Sequence, residues 1–117
     1  MEITYDPKPL TAEQLQALSQ DVKKVLTELY GDRLDCVVLF GSYARGDFHN
    51  ESDVDYLVVL RDEMVNSARE IRLMVDVTYD LCDKYDALVA VKPATLTKYQ
   101  QSPLPFYENV RREGHLI

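Results

Sequence analysis

Two carboxylates, Asp53 and Asp55, open the apolar run "DVDYLVVL" that ends at Leu60. Side chains alternate faces along a strand, so both acids share one face, about 7 Å apart at a rise of about 3.3 Å per residue. Held there, they repel and raise each other's pKa unless positive charge lies between them. Aspartate also disfavours strands and is costly to bury. A divalent cation resolves the conflict. Hard oxygen donors without histidine or thiolate favour magnesium or manganese over zinc.

The preceding apolar run closes on Gly41-Ser42, and ten residues separate that pair from Asp53. Glycine lets the backbone bend sharply and approach a ligand, and the amides after it, with the Ser42 hydroxyl, can face phosphate oxygens. A helical turn starting there would add partial positive charge. Phosphate on one side and a divalent cation on the other make a nucleoside triphosphate site, suited to in-line displacement at phosphorus. Asp53 and Asp55 would be the metal ligands and Ser42 the triphosphate anchor. Either piece alone reads as an ordinary turn or a solvated strand end; their order and spacing between two apolar strands carry the functional reading.

The flanking elements are well signalled. Thr11-Ala12-Glu13-Gln14 is a capping box, and Leu10 and Leu15 form a hydrophobic staple. Apolar residues at Leu15, Leu18, Val22, Val25 and Leu29 mark one face of a helix that Gly31 stops. "DCVVLF" (35–40) and "VDYLVVL" (54–60) read as strands, with a polar, turn-rich segment and a single helical turn near Tyr43-Ala44 between them. A second long helix is expected over 64–85, with Met64, Ala68, Ile71, Val75 and Cys82 on its apolar stripe. "DALVAV" (86–91) reads as a third strand ended by Pro93, and short helices follow over 96–100 and 106–112. Alternating helices and strands give a small α/β or α+β domain.

The 117 residues fit a single domain, 1–117. A net charge of −7 argues against direct nucleic-acid binding, which needs clustered Lys and Arg, and suits a protein that holds cations or docks on a basic partner. Cys36 and Cys82 read as buried free thiols. No apolar run approaches about 20 residues and no signal peptide opens the chain, so no membrane is expected and the cytoplasm is the expected location.

The stretch "GSYARGDFHNESDVDYLVV" resembles the signature of the DNA polymerase beta-like nucleotidyltransferases, in which Gly-Ser is followed ten residues later by Asp-x-Asp. Ala-Arg-Gly after the Gly-Ser is similar to the minimal nucleotidyltransferases, and the resemblance extends from the first helix to "SPLPFYENVRREG". It implies a mixed, mainly antiparallel sheet with helices packed on one face, ATP as substrate, magnesium, and nucleotidyl transfer. It assigns Gly41 and Ser42 to the triphosphate and Asp53 and Asp55 to the metal. Arg45 falls on the family's arginine, a phosphate contact, against a plain surface salt bridge. The family often uses a third carboxylate from a neighbouring strand. Asp76, Asp80, Asp83 and Asp86 are candidates, and Asp86 stands first because it alone opens an apolar, strand-like run.

About thirty residues follow the third strand, too few for an acceptor-gripping domain. Chains of this size resemble antitoxins paired with HEPN-type RNase toxins, in which AMP from ATP is placed on a toxin tyrosine. A hetero-oligomer is the implied assembly, and the acidic charge would steer the chain to a basic RNase. Tyr99, Phe106 and Tyr107 are aromatic candidates for that interface or for the core. Two rivals remain: an inactive module that neutralises a toxin by masking it, and a small-molecule nucleotidyltransferase completed by another chain. His49 reads as a loop residue and His115 as incidental.

Overall fold

The computed structural model describes residues 8–117. Helix α1 (Ala12–Tyr30) begins at the expected capping box: Gln14 N donates to the Thr11 hydroxyl (3.1 Å) and Thr11 N to Gln14 Oε1 (2.9 Å). It buries Leu18, Val22, Leu26 and Tyr30, which recur at helical spacing. A single 3-10 turn, Gly31–Arg33, leads into strand β1 (Leu34–Phe40). The four-residue helix α2 (Ser42–Arg45) precedes strand β2 (Val54–Leu60). Helix α3 (Ser67–Tyr85) returns the chain to strand β3 (Val89–Thr95), and helices α4 (Leu96–Gln101) and α5 (Pro105–Glu113) precede a two-residue strand, β4 (His115–Leu116).

The sheet order is β3-β2-β1-β4. β1 pairs antiparallel with β2 and β4, and β2 pairs parallel with β3, so the sheet is mixed and mainly antiparallel, as expected. Alternation along the strands builds two cores. Val37, Leu39, Tyr56, Val58 and Leu60 face α1 and α3. Val38, Leu57 and Val59 face the opposite way, onto Ala94 and onto Tyr107 and Val110 of α5. The two long helices therefore cover one face, and the short C-terminal helices add a second layer on the other, which the sequence reading did not include. Tyr107 is core, while Phe106 and Tyr99 are half-buried, so none of the three is a freely exposed aromatic.

Helix α3 departs from its sequence reading in two ways. It starts at Ser67 rather than near 64, because Asn66 caps it by accepting from Arg69 N (3.2 Å); Met64 lies outside, 88% exposed. Its buried line is Glu70, Met74, Thr78 and Leu81, whereas Ile71 (38%), Val75 (45%) and Tyr79 (64%) face solvent. Two polar residues hold that inner line without penalty. Glu70 accepts from Tyr30 Oη (2.9 Å) and from Arg33 (3.2 Å), and the Thr78 hydroxyl donates to Met74 O (2.9 Å). An apolar count alone selects the wrong face here.

The third strand runs from 89 to 95 and continues through Pro93 instead of stopping before it. β3 is an edge strand, where a missing N–H costs no internal ladder bond. The two cysteines are free thiols and half-buried; burial and the neighbouring Asp35 push Cys36 up to about 11.

The orientation of α3 is testable by urea denaturation. Met74→Ala should cost about 2–5 kcal/mol through loss of buried volume, whereas Val75→Gln should stay within about 0.5 kcal/mol.

Candidate active site

β1 and β2 are antiparallel neighbours, so the turn that leaves β1 and the acids that enter β2 meet at one end of the sheet. Asp55 pairs with Phe40, the last residue of β1, and Gly41 follows at once. Gly41 has φ 75° and ψ −156°, a region essentially reserved for glycine. Its α-carbon faces the Asp55 side chain: a Cβ built there would lie 3.2 Å from Asp55 Cγ and closer still to Oδ2. Only glycine lets this carboxylate lie against the turn.

Gly41 O accepts from Ala44 N and Arg45 N, both at 3.1 Å, which closes α2. Ser42 and Tyr43 head that helix, where the first amides have no intrahelical acceptor. Ser42 shares an open groove of about 440 Å³ with Arg45, Asp47, His49, Asp53 and Asp55. The triphosphate half and the acidic half expected from the sequence are thus brought together. Tyr43 points the other way into the core, its hydroxyl accepting from Leu10 N (3.0 Å), and so anchors α2 from beneath.

Asp53 is exposed and Asp55 half-buried. Burial raises the Asp55 carboxyl above the ordinary aspartate value, the charge of Asp53 raises it further, and Arg45 opposes both. The pair fits a hard divalent cation. Its donors are all oxygen, its like charges reinforce each other against the opposing field of Arg45, and Asp55 occupies a cradle that any side chain at position 41 would fill.

Arg45 Nε donates to Asp47 Oδ2 (3.1 Å), and its NH1 lies 3.6 Å from Glu113 Oε2 at the end of α5. It therefore stands at the groove in ion pairs. Asp86 is placed differently from its sequence reading. It opens no strand: it caps α3 in a left-handed conformation (φ 49°, ψ 50°), and it lines an adjoining cavity of about 320 Å³ with Lys8, Leu88 and the residues Glu51, Ser52 and Asp53 that also line the groove. The β3 residue paired with Asp55 is Ala90, and β3 carries no acid. Among the described residues, no three His, Cys, Asp or Glu side chains gather where a metal ion could be held.

Three contributors were not singled out from the sequence. Glu113 reaches Arg45 from the far end of the chain, and Phe40 flanks Asp55 across the β1–β2 ladder. His115, read as incidental, bonds through Nε2 to Ala44 O (3.0 Å) and ties β4 to α2. His49 orders the loop, its N donating to Ser52 Oγ (2.8 Å) and its Nδ1 accepting from Glu51 N (3.2 Å). Only the folded chain joins residues near 113–115 to residues near 44; no local spacing signals it.

Residues 20–117 match the family described as Polymerase beta, Nucleotidyltransferase, and the chain belongs to that family. Two proteins of Methanocaldococcus jannaschii, each named "Putative protein adenylyltransferase", are similar to it. One is 38% identical over 71 residues, covering 61% of this chain and 70% of its own; the other is 30% identical over 93 residues, covering 79% and 86%. Among solved structures, a chain of a toxin–antitoxin with AMP-PNP superposes with a TM-score of 0.56 at 23% identity, over 83% of this chain and 69% of that one. A chain of a mutant of the toxin–antitoxin MntA-HpeT gives 0.53 at 21% identity, over 93% and 72%. At such identities these superpositions establish the shared fold.

Two outcomes follow from the Gly41–Asp55 contact and the charge pair. Gly41→Ala should cost about 1–3 kcal/mol in backbone strain and weaken manganese binding measured by electron paramagnetic resonance. Gly46→Ala, at φ 87° with nothing within 4 Å of the new Cβ, should leave manganese binding unchanged. The second outcome concerns pH. A carboxyl raised in the folded state binds protons more tightly there than in the unfolded chain, so stability falls as pH rises through the folded value. Asp55→Asn should therefore be more stable than the wild type at neutral pH without metal, an advantage that thermal melts should show vanishing below about pH 4.

Proposed function

We propose that this chain transfers the adenylyl group of ATP to a hydroxyl of a protein partner, with magnesium held by Asp53 and Asp55, and that it acts as the antitoxin of a toxin–antitoxin pair. The observation that carries the reading is the single groove in which Ser42, Arg45, Asp53 and Asp55 converge beside the Gly41 turn. The names of the relatives, and the toxin–antitoxin assemblies among the structural neighbours, one of them with AMP-PNP, support the direction of transfer and the kind of partner. A HEPN-type RNase and a tyrosine acceptor are the partner and residue class that the sequence resemblance favours. The net charge of −7 suits docking on the basic surface an RNase needs for its substrate.

In this mechanism the Ser42 hydroxyl and the leading amides of α2 hold the terminal phosphates. Arg45 exchanges Asp47 and Glu113 for a phosphate oxygen, a substitution that keeps its guanidinium in charge-assisted hydrogen bonds. A divalent cation, when bound, supplies neutralisation of the charge that builds on the leaving pyrophosphate. The acceptor oxygen bonds to the α-phosphorus as the bond from that phosphorus to the bridging oxygen of the β-phosphate breaks. The acceptor's proton leaves to solvent through the open groove. Asp86, which borders the neighbouring cavity together with Asp53, is given no role in this two-carboxylate scheme.

The test is transfer of label from ATP to a co-purified protein partner in the presence of magnesium. Label on the α-phosphate should appear on the partner and label on the γ-phosphate should not. Asp53→Asn and Asp55→Asn should each lower the rate on the order of a hundredfold or more, while Asp86→Asn should keep most of it. Transfer of the γ-label, or activity undiminished in Asp55→Asn, would exclude the proposal.

A further inference from the structure

The groove that holds Ser42, Asp53 and Asp55 shares lining residues with two neighbouring cavities. One, beside Asp53, is bordered by charges of both signs, Lys8 with Glu51, Asp53 and Asp86, and by Leu88 in the turn after α3. The other, of about 200 Å³, lies between α5 and the Gly41 turn; it is bordered by Phe40, Phe106, Asn109 and Glu113 and shares Arg45 with the groove. The larger cavity of about 520 Å³ between α1 and β4 has no residue in common with the groove.

We infer that the slot under α5 seats the adenine base of the nucleotide, with Phe106 as its stacking surface and Asn109 as the reader of its edge. The inference rests on the triphosphate reading of the adjoining groove and extends it to the base. A base needs an apolar face for its ring and hydrogen-bonding groups at its rim, and this slot divides in that way. Phe106 meets Phe40 edge-on at 5.4 Å and Tyr107 edge-on at 5.1 Å, and Lys92 Nζ covers one face of its ring at 4.2 Å from the centroid without lining the slot, so stacking in the slot falls to the other face. A ring held on several sides loses little freedom when it is stacked upon. Asn109 Oδ1 accepts from Arg112 NH2 (2.8 Å) and keeps a second lone pair for an exocyclic amino group. Asparagine pairs with adenine through the same kind of contact in nucleic-acid recognition. The Glu113 carboxylate, 3.6 Å from Arg45 NH1 and 3.2 Å from Arg112 NH2, accepts only, and so favours a rim that donates. Phe40 lies directly across the ladder from Asp55, so the slot begins one strand away from the acidic pair.

The experiment is calorimetric titration of the full chain, with manganese present, by ATP, ITP, inorganic tripolyphosphate and adenosine. ATP should bind more tightly than tripolyphosphate and more tightly than ITP, which presents a carbonyl where ATP presents an amino group. Phe106→Leu, which keeps apolar bulk without a π face, and Asn109→Ala, at an exposed position, should each weaken ATP about tenfold. Neither should change tripolyphosphate binding, and Asn109→Ala should erase the preference over ITP. Equal affinity of the wild type for ATP and tripolyphosphate, or variants that weaken both alike, would overturn the base slot and leave the triphosphate reading standing. Adenosine binding without tripolyphosphate binding would sustain the slot and overturn the triphosphate reading. Absence of binding by all four would overturn both.

Discussion

The site depends on mutual repulsion between two carboxylates that the fold holds together. Asp53 is hydrated at the surface, but Asp55 is drawn partly out of water and pressed against the Gly41 backbone, so its charge is poorly screened and close to a like charge. A protein selected for stability alone would place a neutral residue there. The strain has a local cause and a local remedy, since both acids face a groove that opens on Ser42 and Arg45. Destabilisation confined to one end of one strand is a common mark of a functional site.

The rest of the structure keeps that end of the sheet fixed while leaving it open. β1 and β2 run antiparallel through six residue pairs, so the exit of one and the entrance of the other cannot drift apart. Tyr43 is fastened beneath α2 by its contact with Leu10, and β4 fastens α2 from above through His115. The two long helices occupy the face away from the acids. The short α5 covers the acidic face only as far as Phe40 and Phe106.

How much of this was legible in the sequence depended on whether the signal was local. The capping box at Thr11, the strand entered at Asp53 and the Gly-Ser turn are local patterns, and the structure places each where spacing put it. The stripe on α3 was misread because tertiary partners decided it: Tyr30 and Arg33 make Glu70 an inner residue, and Ile71 and Val75 are left outside. Asp86 was misplaced for a related reason. An acid before an apolar run looks like a strand entrance, but the backbone there still belongs to the helix end, and its left-handed turn precedes the strand by three residues. The contacts of Glu113 and His115 with α2 had no sequence signal, because nothing within a few residues of either one announces a partner some seventy positions away.

Pro93 in the terminal strand of the sheet has a consequence for how any other protein can meet this one. Along that rim the backbone offers an interrupted row of donors, and Lys92 beside it carries a charge that discourages a neighbour from zipping on. Strand addition, the easiest route by which exposed sheets associate with themselves, is blocked on that flank. At the opposite rim β4 spans just two residues, which is too short a template to guide an incoming chain. These rims favour recognition through side chains presented by helices and loops, where complementarity can be specific, over main-chain pairing, where any extended peptide would serve.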